Sequence, residues 1–112
     1  MSSEEREKIY RECLSRYGFN NQLNMAIEEM SELIKALLKY CRVFLAIKGD
    51  NANPVVGKDL NSAREDIIDE LADVKIMIRQ MEIAFQADKE VEERIDYKVK
   101  RQEGRLNERR GI

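Results

Sequence analysis

The chain has 112 residues, 43% of them apolar and 38% charged, with a formal net charge of −2. That is the size of one domain, 1–112. Its apolar content is too high for a disordered chain and its net charge too small for a polyelectrolyte that binds nucleic acid. It contains no histidine, which excludes histidine-ligated zinc, Ser-His-Asp triads and the Glu-x-x-His di-iron bundles.

The N-terminus, Met-Ser-Ser-Glu-Glu-Arg, has no apolar signal core. Ser2 or Ser3 is positioned to cap a first helix running to about Arg16, with glutamates in its first turn where the helix dipole favours them. Gly18-Phe19-Asn20-Asn21 interrupts the pattern, and Gly18 is a suitable helix stop. A long second helix is expected from about Asn21 to Ile47, its apolar stripe formed by Leu23, Ile27, Met30, Ile34, Leu37, Leu38 and Cys41. The longest apolar run, Val43 to Ile47, is too short to span a bilayer, so no membrane partner is expected and a cytoplasmic location follows. Gly49 to Pro54 is loop chemistry, and the loop is expected to continue to about Leu60. Asn61 or Ser62 then caps a third helix with Glu65 and Asp66 in its first turn and Ile67, Ile68, Leu71, Val74, Ile78, Met81 and Phe85 as its stripe. A fourth, more polar helix follows from about Asp88 towards Arg109, with a weak stripe at Val91, Ile95, Val99 and Leu106.

Nothing alternates with a strand period, so the fold expected is all α: an antiparallel four-helix bundle with its core over about 20–87 and a basic C-terminal helix over about 88–110. The thin stripe of the last helix cannot close a core alone, and oligomerisation is expected to complete it. Cys13 and Cys41 fall in apolar helical contexts and read as reduced thiols acting as small hydrophobes.

Chemistry concentrates in two acidic motifs. Glu29-x-x-Glu32 and Glu70-x-x-Asp73 each place two carboxylates one turn apart and ~60° around a helix, so each pair shares a face. Apolar residues flank both pairs, which sets the carboxylates at the edge of a packed stripe. If the two helices pack antiparallel, the four carboxylates converge, and their mutual repulsion calls for a cation. Oxygen-only donors select hard metals, Mg²⁺ or Mn²⁺. A single Glu-x-x-Glu is ordinary helix surface; two matched pairs are not.

Glu28-Glu29-Met-Ser-Glu32-Leu followed by Glu70-Leu-Ala-Asp73-Val resembles the MazG-like all-α nucleoside triphosphate pyrophosphohydrolases, over roughly Gln22 to Gln80. The resemblance implies an all-α core, Mg²⁺ dependence, a homodimer or homotetramer, and cleavage of a nucleoside triphosphate to the monophosphate and pyrophosphate. Carried over by position, Glu29, Glu32, Glu70 and Asp73 are the metal ligands. The spacing between the motifs is longer than in compact members, on account of the 49–60 loop.

A general base is sought among Glu28, Glu29 and Asp69. Basic partners for phosphates are available in Lys35 and Lys39, beyond Glu32 on the same helix, and in Lys75, close after Asp73. The tail Lys98 to Arg110 carries six bases against Glu103 and Glu108. It resembles the family's basic C-terminal segment, with Lys98, Arg101 and Arg105 as phosphate-binding candidates. Gln22, with Asn21, is a candidate base-recognising amide. The rival readings are a non-enzymatic helical dimerisation or interaction module and, within the enzyme class, an all-α dUTPase or dCTPase or a phosphoribosyl-ATP pyrophosphatase. Nucleic-acid binding through the tail is disfavoured by the near-neutral charge and the lack of tryptophan.

Overall fold

The computed structural model describes residues 1–47 and 54–109, with side chains at 1–45 and 59–109. Four α-helices account for the described secondary structure: α1 (Ser3–Tyr17), α2 (Phe19–Ile47), α3 (Pro54–Phe85) and α4 (Asp88–Arg109). The chain divides into two compact units, Met1–Met81 and Glu82–Ile112. None of the described helices is long and apolar enough to cross a membrane.

In the first unit, α1 begins as the sequence requires. Ser2 is its N-cap, the side-chain oxygen accepting from the Glu5 N–H at 3.1 Å, with Glu4 and Glu5 in the first turn. Gly18 ends it at φ 89°, a conformation that L side chains rarely adopt, donating its N–H to the Leu14 carbonyl at 3.1 Å. The Gly18 carbonyl in turn accepts the Gln22 N–H at 3.1 Å, so one residue closes α1 and opens α2. The interruption expected at residues 18–21 is therefore a single residue. Asn21 and Gln22 lie inside α2, and the Asn21 side chain donates to the Tyr17 carbonyl at 2.7 Å.

The larger departure is at α3. Its backbone is helical from Pro54, so the loop expected to reach Leu60 ends sooner, and Asn61 and Ser62 sit inside a helix rather than capping one. Proline suits a first helical position, where its fixed φ fits and its missing N–H is not needed. The part of the expected loop at 49–53 lies outside the described residues.

Helices α2 and α3 are antiparallel, as the pairs between them show. Gln22 meets Gln80, Glu29 meets Asp73 and Lys39 meets Asp66. The seam is built of small residues and amides: Ala26, Ala36, Ala63, Val74 and Met77 are buried, together with Gln22 and Gln80. Apart from the half-buried Leu23, the apolar stripe expected on α2 is instead at the surface of the single chain. Ile27 and Ile34 are each 58% exposed, with Met30, Leu37, Leu38 and Cys41 exposed beside them. On α3 the expected stripe splits: Val74 is buried, whereas Ile68, Leu71, Ile78 and Phe85 are exposed. Alanines let two helix backbones approach closely, and that packing turns the larger residues outwards.

α1 is tied to α3 by Glu7, whose Oε1 accepts from Arg79 Nε at 2.6 Å, both side chains about 30% exposed. The cleft between these helices, ≈ 600 Å³, is lined by Arg6, Glu7, Tyr10, Lys75, Ile76 and Arg79 among others.

In the second unit, α3 closes in a Schellman turn. Gln86 takes φ 51°, its N–H bonds the Ile83 carbonyl at 3.1 Å, and the Ala87 N–H bonds the Glu82 carbonyl at 3.0 Å. α4 follows with Asp88 and Glu90 in its first turn and no buried residue.

Candidate metal centre

The heptad-like step along α2 that buries Gln22, Ala26 and Ala36 also carries Glu29, and the matching step along α3 carries Glu70 between Ala63 and Val74. Both glutamates are consequently half-buried at the helix seam. Asp73, one turn beyond Glu70, is exposed at its margin. Carboxylate oxygens of Glu29, Glu70 and Asp73 lie within 4.8 Å of one another.

The electrostatics follow from that convergence. The Glu29 carboxyl is held above the usual carboxylate range by loss of solvent, then by the charges of Asp73, Glu70 and Glu28; in its protonated form it donates a hydrogen bond to Asp73. Glu70 is raised in the same direction, again by loss of solvent first, then by Asp73, Glu32, Asp69 and Asp66. Its Oε2 is buried and has no hydrogen-bond partner. A buried carboxylate oxygen without a donor, on a residue grouped with two further carboxylates, is a costly arrangement that a bound cation relieves. The donors are all oxygen, which suits Mg²⁺ or Mn²⁺ and not a softer metal.

Three of the four residues expected as ligands thus come together. Glu32, the fourth, lies outside the 4.8 Å group; its Oε1 accepts from Lys35 Nζ at 3.1 Å, while its charge still reaches Glu70. Of the three base candidates, Glu29 belongs to the group itself and the other two flank it. Glu28 is exposed beside Glu29, and Asp69 is exposed beside Glu70.

An open cleft of ≈ 420 Å³ adjoins the group, with Glu32, Asp66, Asp69 and Glu70 as its acids and Lys35, Lys39 and Arg42 as its bases. Lys39 donates to Asp66 Oδ2 at 3.2 Å. Arg42 was not among the sequence candidates, although it continues the three- and four-residue steps from Lys35 and Lys39. Lys75 lines the α1–α3 cleft instead. Gln22 is 6% exposed and donates through Nε2 to Gln80 Oε1 at 2.6 Å, so its amide is engaged inside the seam. Gln80 was missed because a lone glutamine carries no local signal. Lys98, Arg101 and Arg105 are exposed on α4 in the second unit, at spacings that place them along one helix face. No family model, curated protein or solved structure matches the chain.

Proposed function

We propose that the chain is a divalent-cation-dependent pyrophosphohydrolase, cleaving a nucleoside triphosphate to the monophosphate and pyrophosphate. The observation that carries this reading is the convergence of Glu29, Glu70 and Asp73 from two helices within 4.8 Å, with the Glu70 Oε2 buried and unpartnered. The spacing of the two acidic motifs and their resemblance to MazG-like enzymes supply the reaction class. These three carboxylates, joined by Glu32, would hold Mg²⁺ or Mn²⁺. When bound, the cation supplies charge neutralisation at the phosphates and acidifies water for in-line attack.

The protein's own side chains do the rest. Lys35, Lys39 and Arg42 line the adjoining cleft and offer donors to phosphate oxygens. Lys35 and Lys39 pair there with Glu32 at 3.1 Å and Asp66 at 3.2 Å. Glu28 and Asp69 flank the three ligands as candidate acceptors of a water proton.

The exposed Ile27, Met30, Ile34 and Leu37 of α2, with Ile68, Leu71 and Ile78 of α3, support a second element of the proposal. A helical bundle completed by further copies of the chain, as a homodimer or homotetramer, covers that surface. The same stripe also favours the rival reading, a helical interaction module without catalysis. A pyrophosphate-release screen of canonical and modified (deoxy)nucleoside triphosphates with Mg²⁺ or Mn²⁺ separates the two. Turnover that vanishes in Glu70→Gln supports the enzyme; a folded, self-associating chain that turns over none of them leaves the interaction module.

A further inference from the structure

The acidic group cannot account for its own assembly. Glu29, Glu70 and Asp73 repel one another, so the register of α2 against α3 that brings them together is opposed by the very charges it aligns. Ala26, Ala36 and Ala63 allow close approach but discriminate weakly between registers, because one small apolar residue packs much like another. Gln22 and Gln80 behave differently. Among the described residues they are the buried polar ones of this seam, 6% and 3% exposed, and Gln22 Nε2 donates to Gln80 Oε1 at 2.6 Å. In a shifted register either amide would face an alanine, valine or methionine and lose its partner, a desolvation cost that the aligned register avoids. A single buried amide sets helix register in this way in coiled coils.

The placement of the pair links it to the acidic group. Glu29 lies seven residues after Gln22, and Asp73 seven residues before Gln80. Seven residues is about two turns, or ~10.5 Å, so in antiparallel helices both steps run in the same direction and end at the same level. We infer that the Gln22–Gln80 amide pair is a positioning device: it fixes the α2–α3 register that brings Glu29 opposite Asp73 and Glu70. The register depends on the hydrogen bond and burial alone; its consequence for metal binding rests on the proposed function of the acidic group as a cation site.

The test reads register and metal separately. Nitroxide labels at Asn24→Cys on α2 and Asn61→Cys on α3, both exposed sites, go into a Cys13→Ser/Cys41→Ser chain diluted with unlabelled protein. Slippage by one helical turn changes their separation by ~5 Å, within the resolution of pulsed dipolar spectroscopy. The unaltered glutamine pair is expected to give one narrow distance. Gln22→Leu/Gln80→Leu is expected to keep the helical content and thermal stability but to add a second distance population, and to weaken Mn²⁺ binding at least tenfold. If the leucine pair does not fold, Gln22→Met/Gln80→Met, which keeps the unbranched shape of glutamine, carries the same measurement. Gln22→Glu/Gln80→Lys, which restores a polar pair at the same level, should return the single distance. A folded apolar variant with an unchanged distance and unchanged Mn²⁺ affinity overturns the inference. Absence of Mn²⁺ binding in the chain with its glutamines intact counts against the metal centre alone, and the distance measurement then still decides the register.

Discussion

Glu29 and Glu70 concentrate the functional content of the chain into two side chains. Both have carboxyls raised by burial and by each other's neighbourhood. The sign of the linkage follows. A raised carboxyl contributes stability in full below its unfolded pKa, and that contribution is lost as pH rises through the folded value. Without metal, therefore, the stability of the protein relative to Glu29→Gln/Glu70→Gln should fall as pH climbs from about 4 through the window above the ordinary glutamate pKa, then level off. Urea melts of both proteins across that range check it, and a difference independent of pH would contradict it. Saturating Mg²⁺ should reverse the order at neutral pH. Gln86 offers a prediction unconnected with chemistry. Its φ of 51° in the Schellman turn suits glycine, so Gln86→Gly should stabilise by about 1 kcal/mol in thermal melts. Gly18→Ala, at φ 89° with open space around it, should cost about 1 kcal/mol for the converse reason.

At the scale of elements, the helices were legible wherever their signals are local. Ser2, Gly18 and the periodicity of α2 and α4 act within a turn or two, and the four helices appear where those signals place them, with α3 longer. The start of α3 was obscured because Pro54 is both a loop residue and a good first helical residue. The acidic motifs were legible because spacing of three on a helix fixes a shared face whatever the partner. What could not be read was the choice of partner face. Helix α2 carries two stripes: Gln22, Ala26, Glu29, Leu33 and Ala36, and beside it Leu23, Ile27, Met30, Ile34 and Leu37. Hydrophobicity points to the second, whereas the single chain buries the first, since alanines permit the closer approach. Gln80, Arg42 and the Glu7–Arg79 pair escaped for a related reason, as their roles depend on residues far away in sequence. The exposed stripe makes its own prediction. Ile27→Asp/Ile34→Asp leaves the buried seam untouched and should lower the assembly to a monomer in sedimentation velocity, with helical content retained. A mass identical to that of the parent chain would mean that this stripe is not where copies meet.

Over the whole molecule, the near-neutral total charge conceals a separation. Glu29, Glu70 and Asp73 draw together between α2 and α3 of the first unit, while the last stretch of α4 is basic, with Lys98, Lys100, Arg101, Arg105 and Arg109 against Glu103 and Glu108. In the proposed function the acidic cluster is a cation site. Everything in that proposal depends on Glu29, Glu70 and Asp73 binding a divalent cation. The most direct test is a Mn²⁺ titration followed by electron paramagnetic resonance on the folded chain and on Glu70→Gln. A saturable site competed by Mg²⁺ is expected in the first, and affinity at least tenfold weaker in the second. No saturable binding, or equal binding in both, would contradict the cation site.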